Sequence, residues 1–302
     1  MDTEVKFYTC KNDRAFKEVF MKKENSDLLT LLLEKILKVK VNEIEYLNLE
    51  DNVDNINVRR KSYDLRLNTD KGRILVEVNA SIYDYSHERQ TAYLCNEYSH
   101  ITLSGEDYSE DIDIIQINLT YGKMKNFSKE NKYLYDDKEY RIFMIQDEEN
   151  KKYVKNFKIY DINMDYYMNF WYTNDKEKIE ENKYLIMLNL GQDDLEKLSK
   201  KDRKVEKYMA EIKKINIEPK FIEFISYEED QKKREKTRLR KAEESGFEQG
   251  IEQGIEQGIE QGSLSKSKEI AESLLNDGID IKKISKYTGL SLEEINKIEK
   301  SI

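Results

Sequence analysis

SYDLRLNTDKGRILVEVNAS, residues 62–81, decides how this chain folds. From Ser62 to Thr69 apolar and polar residues alternate, the period-two signature of a strand with one covered face. Asp70-Lys71-Gly72 follows as a tight turn in which Gly72 supplies a positive φ. Ile74, Leu75 and Val76 then run on as consecutive apolar residues, which predicts a strand from Ile74 to Ser81 buried on both sides. A turn this short makes the two strands neighbours.

That pairing gives the hairpin its chemistry. Asp64 lies in the first strand and Glu77 in the second, at facing positions where two carboxylates can share one divalent cation. Glu77 ends an apolar run, where an unpaired charge is costly and a metal ion is one way to make it tolerable. Asn79 points to the same side of its strand as Glu77, because side chains alternate. Oxygen ligands for a cation, a water activated by it and a polar group beside that water are what phosphodiester hydrolysis needs. The plain alternative is a pair of surface carboxylates on an exposed sheet.

Working outward, NDRAFKEVF (12–20) opens with an Asn or Asp cap and sets Phe16 and Phe20 one turn apart, and SDLLTLLLEKIL (26–37) follows with Ser26 or Asp27 as its cap. Both predict helices. EIEYLNLE (43–50) predicts a strand, residues 87–100 a helix, and DIDIIQINL (111–119) a β-branched strand. The order is helix, three strands, helix, strand. Asp13 and Lys17 share a helix face at i and i+4, either as a local ion pair or as groups approaching the acidic site. Further on, YRIFMIQ and NFKIYDINM read as strands, and the segments holding Trp171 and EKIEENKYLIML read as helices.

With 38% hydrophobic and 11% aromatic residues, the 302-residue chain can build a substantial core, while 37% charged residues call for long solvated helices. Cys10 and Cys95 form no CxxC and sit in no zinc-ligand spacing, which argues against a disulfide scaffold. The N-terminus lacks an apolar signal region and no window reaches about 18 apolar residues, so the expectation is a cytoplasmic protein with no membrane partner. A net charge of -9 argues against a surface that grips nucleic acid everywhere, and leaves room for a local basic segment.

That segment is residues 231–241, where Lys232, Lys233, Arg234, Lys236, Arg238, Arg240 and Lys241 stand against Glu235 alone. It precedes FEQG-IEQG-IEQG-IEQG (247–262). Four residues advance a helix by about 400°, so each column drifts by about 40° per repeat and winds around the axis. Each glycine costs about 1 kcal/mol against alanine. Such a helix persists by packing on a partner, plausibly its own copy; otherwise the repeat is a low-complexity linker. The tail predicts three short helices, with Gly278 and Gly289 as stops and Ser291 opening a capping box. ISKYTGLSLEEINKI has a helix-turn-helix cadence, but residues 264–302 balance seven Lys against seven acids, which favours bundle packing over DNA reading.

Taken together, Asn12-Asp13 with Phe16-Lys17 and Phe20, Tyr63-Asp64, Val76-Glu77-Val78-Asn79, His87-Glu88-Arg89-Gln90 with Tyr93, and Gly105-Glu106-Asp107-Tyr108 ahead of Ile114–Ile117 resemble the Rpn recombination-promoting nucleases and PD-(D/E)XK nuclease family transposases. The resemblance covers roughly residues 10 to 120 and extends more loosely to Asp161. It implies an α/β, restriction-endonuclease-like αβββαβ core with an α-helical C-terminal extension. Expected divisions are a nuclease-like domain at 1–230, a charged repeat helix at 231–262 and a helical tail at 263–302.

The resemblance also implies a DNA endonuclease dependent on Mg²⁺, or on Mn²⁺ or Ca²⁺, of a kind associated with mobile elements, recombination and phage defence. Asp64, Glu77 and the Val78 carbonyl would be the metal ligands. Asn79 would take the place of the superfamily's lysine, which the family often fills with glutamine. Asp13, Lys17 and Arg89 would support the site, Arg89 by contacting phosphate or orienting Glu77. Lys232, Lys233 and Arg234 would follow the DNA backbone, and the C-terminal helices would make a homo-oligomer. The alternative is a catalytically inactive relative serving as a DNA- or protein-binding oligomeric module.

Overall fold

The computed structural model describes residues 6–49, 62–80, 86–101, 113–121, 138–154 and 157–301. The chain divides into two compact units, Met1–Ile222 and Glu223–Ile302. The Gly105–Tyr108 motif lies outside the described residues.

In the first unit, α1 (Asp13–Phe20) is capped by Asn12, whose side chain accepts from the Ala15 N–H at 2.9 Å. Helix α2 (Ser26–Leu37) departs from expectation, since neither Ser26 nor Asp27 caps it. A 3-10 turn at Lys23–Asn25 leads directly into the helix. The Asp27 carboxylate is taken up by Lys204 and Lys207, at 2.6 and 2.5 Å.

Strands β1 (Ile44–Tyr46), β2 (Leu65–Thr69) and β3 (Gly72–Asn79) follow, then α3 (Ser86–Ile101) and β4 (Ile114–Thr120). The first two strands are shorter than predicted. Asp64 sits in a bend one residue ahead of β2, because its N–H turns to the Glu77 carboxylate at 3.3 Å. At the turn, Gly72 has φ 107°, and a Cβ there would meet the Asp113 carbonyl oxygen at 2.1 Å, so only glycine lets the hairpin approach β4.

Strands β5 (Tyr140–Met144) and β6 (Phe157–Asn163) complete a six-stranded mixed sheet in the order β1-β2-β3-β4-β6-β5. β3 pairs parallel with β4 and β4 with β6, and the other pairs are antiparallel. Ile74, Val76, Ile115, Ile117 and Leu119 line one face, the side against which α1 packs. Behind it Phe16, Phe20, Leu28, Leu32 and Tyr208 are buried, with Phe20 and Tyr208 stacked at 6.3 Å. The opposite face carries Leu75, Ile114 and Phe157 beneath Leu94 of α3. Arg66 and Arg73, also on that face, both pair with the fully buried Glu97 of α3. Helices α4 (Met164–Tyr172), α5 (Lys176–Ile186), α6 (Gln192–Ser199) and α7 (Arg203–Ile217) follow the sheet. This mixed sheet with its covering helices is an α/β fold.

Helix α8 (Pro219–Asn276) begins with proline where a missing N–H costs nothing, and continues without a break through the four-residue repeat. In the second unit, α9 (Ile281–Thr288) and α10 (Leu292–Glu299) fold onto the end of α8 around Ala271, Ile284, Leu290 and Ile295. Gly278 and Gly289 have positive φ, and Ser291 with Glu294 forms the capping box. Among the described residues no helix is long and apolar enough to cross a membrane.

Candidate active site

Leu65 pairs with Val76, so the antiparallel register carried one residue further sets Asp64 opposite Glu77. The two acids are 7% and 3% exposed, although the chain has ample surface for carboxylates. Each is held by main chain as well as by charge. The Val78 N–H donates to Asp64 Oδ2 at 2.7 Å, and the Asp64 N–H donates to Glu77 Oε1. In an extended strand a residue's N–H and C=O leave by the same edge, so the Val78 carbonyl also faces the Asp64 side.

Lys17 of α1 reaches Asp64 Oδ1 at 3.0 Å, and Arg89 of α3 stands 3.7 Å from Glu77 Oε2 with its guanidinium over the Tyr93 ring. Lys17 therefore faces the site instead of forming a local pair with Asp13. Asp13 stays close enough for its charge to act on Asp64, while its own carboxylate accepts from the Arg14 N–H. Asn79 follows Glu77 on the same side of β3, and its buried Nδ2 has no hydrogen-bond partner among the described residues. Lys232, Lys233 and Arg234 lie exposed on α8, in the second unit.

Burial pushes both carboxyls up from the usual carboxylate range. For Asp64 the Lys17 ammonium and the Val78 N–H oppose that rise; for Glu77 the charge of Asp64 adds to it and Arg89 opposes it. A divalent cation held by both acids would offset this penalty. Among the described residues no third His, Cys, Asp or Glu joins them. The donor set is thus two carboxylates with a carbonyl at the same edge, all oxygen, which suits a hard divalent cation. The unsatisfied Asn79 amide leaves a polar atom aimed at no protein group, as a site that takes up water or substrate requires.

The sequence reading missed a polar layer beside the acids. Register sets Glu77 beside Asn118 and Asn118 beside Asp161. Gln116 donates to Asn118, Asn118 donates to Gln90 of α3, both at 2.9 Å, and the Thr120 hydroxyl donates to Asp161 at 2.5 Å. Burial raises Asp161 above its ordinary range, against that hydroxyl bond. The signal was legible: Gln116, Asn118 and Thr120 alternate with Ile115, Ile117 and Leu119, so one face of β4 is polar although the whole strand is buried.

No curated protein and no solved structure matches the chain. Nucleases of the PD-(D/E)XK type typically use divalent metals, in keeping with the acidic pair. The model of the PD-(D/E)XK nuclease family transposases matches residues 10–242, from the strand-side helices through the basic segment of α8, and the chain belongs to that family of nuclease- and transposase-like proteins.

Proposed function

We propose that this protein is a metal-dependent DNA endonuclease whose catalytic centre is the Asp64–Glu77 pair. The observation that carries this reading is two buried, facing carboxylates, each within ion-pair reach of a cation from a different helix, Lys17 and Arg89. Asp64, Glu77 and the Val78 carbonyl would hold Mg²⁺, Mn²⁺ or Ca²⁺. When bound, such an ion acidifies water and offsets charge on a phosphoryl oxygen.

The chain's own residues then have distinct tasks. Asn79, two positions beyond Glu77, hydrogen-bonds and orients the attacking water; the water's oxygen bonds to phosphorus as the bond to the leaving oxygen breaks, the water's proton passes to solvent and the leaving oxygen takes a proton from solvent. Asparagine is neutral and short, so Lys17 supplies the positive charge near the reacting phosphate. Arg89, with 60% of its side chain exposed, is free to exchange Glu77 for a phosphate oxygen. Lys232, Lys233 and Arg234 bind the DNA backbone, which gives affinity a steep salt dependence. We also read the C-terminal helices as the seat of homo-oligomerisation. Transposition, recombination and phage defence all use the same cut.

Asn79 itself favours a second reading, a catalytically inactive relative that binds DNA or a protein, since asparagine is a methylene shorter than glutamine and lacks the charge of lysine. Supercoiled-plasmid cleavage with Mg²⁺, Mn²⁺, Ca²⁺ or EDTA, run beside Asp64→Ala and Glu77→Ala, separates the two. Metal-dependent nicking lost in both variants is the expected result. Absence of cleavage with every metal, or equal cleavage in the variants, would overturn the Asp64–Glu77 nuclease and favour the inactive relative.

A further inference from the structure

We infer that α8 pairs antiparallel with α8 of a second copy of this chain, with Glu248, Glu252 and Glu256 of each copy lying over Arg234, Arg238 and Lys241 of the other. This deepens the oligomer reading above and does not depend on the nuclease chemistry.

The helix is a two-block polyampholyte. Residues 231–241 hold seven basic side chains and Glu235, whereas residues 242–265 hold Glu243, Glu244, Glu248, Glu252, Glu256 and Glu260 and no Lys or Arg. Ion pairs along this stretch are Lys233–Asp230 and Arg240–Glu244, so among the described residues the six side chains named in the proposal have no ion-pair partner. Two parallel copies would set basic block on basic block and acidic on acidic. Reversing one copy sets each block against its opposite, and charge alone selects the antiparallel arrangement.

Helix geometry puts the right residues on one flank. At about 100° per residue, Arg234, Arg238 and Lys241 fall within an arc of about 60°, and Glu248, Glu252 and Glu256 wind through an arc of about 80° that overlaps it. In an antiparallel pair related by a two-fold axis, a flank meets its own equivalent on the partner. An axis near Glu244 and Ser245 then aligns Lys241 with Glu248, Arg238 with Glu252 and Arg234 with Glu256, twice over. Lys232 sits on another side of the helix and stays outside the pairing.

The apolar surface beside this flank also lacks a cover. Phe247, Ile251, Ile255 and Ile259 are exposed. Lys233, Arg234, Thr237, Arg238 and Lys241 line a shallow groove on the basic block, where the partner's isoleucines pack on arginine and lysine stems. Column drift of about 40° per repeat makes the helices cross, which confines close contact to a few turns and leaves orientation to the charges.

The test is the mass of the full chain by light scattering, without DNA or metal, for the wild type, for E248K/E252K/E256K, for R234E/R238E/K241E and for an equal mixture of the two variants. The expected result is a dimer for the wild type, single chains for each variant at unchanged helix content by circular dichroism, and a restored dimer in the mixture. A monomeric wild type, either variant remaining dimeric, or a mixture that stays monomeric would overturn the proposal. Cleavage assays on the same proteins report separately on the nuclease reading.

Discussion

The Asp64 N–H donates to the Glu77 carboxylate at 3.3 Å while the Val78 N–H donates to the Asp64 carboxylate at 2.7 Å, so each acid is fixed by the backbone beside the other. This reciprocal grip keeps two carboxylates together in a buried place where their charges repel. It makes the site costly in the free protein and receptive to a cation, and measurable consequences follow from that tension.

Stability of the metal-free protein should fall as pH rises. Glu77 is pushed up to about 8 by burial and then by the charge of Asp64. The folded state therefore binds a proton that the unfolded chain releases near the ordinary carboxylate range. The contribution is complete below that range and is lost as pH climbs from about 4.5 to about 8, and Asp64 shifts in the same direction. Thermal melts across this window should show Tm declining, with Glu77→Gln flattening the decline. Mn²⁺ at the upper end should restore Tm, since it favours the deprotonated pair; a profile identical in Glu77→Gln would assign the decline to other groups.

Lys17→Met removes the cation nearest Asp64 and leaves its buried carboxylate with the Val78 N–H as its remaining support. We expect a loss of about 1–3 kcal/mol in urea unfolding at neutral pH, with little loss at acid pH where Asp64 is neutral. An equal loss at both pH values would mean that Lys17 contributes packing and not charge.

For Asn79, alanine should lower cleavage about tenfold or more, while glutamine, which keeps the amide, should stay within about threefold of wild type. Metal affinity, followed by Mn²⁺ titration, should change little in either. Equal rates for all three proteins would remove Asn79 from the reaction.

Gly72→Ala tests the close approach of the hairpin to β4. A positive φ and a Cβ set against the Asp113 carbonyl predict a loss of at least about 2 kcal/mol. Because β3 carries Glu77, cleavage should fall as well; an unchanged unfolding midpoint would show that the turn relaxes freely.

The sequence by itself determined the local structure and the pairing of the acids. Period-two alternation, a glycine at the turn and capping residues such as Asn12 and Ser291 act over a few residues, and the turn at Gly72 fixes which residue faces Glu77. The four-residue repeat left a helix and a low-complexity linker both open, and in the structure it is part of the helix Pro219–Asn276. Only the tertiary structure decided what surrounds the pair. Lys17 and Arg89 come from two different helices, and the Asn118–Gln90 and Thr120–Asp161 bonds join strands and a helix far apart in the chain. Chain connectivity does not encode such contacts locally. They follow from the order in which β3, β4 and β6 lie side by side, with α3 packed over them, and that order is a property of the whole sheet.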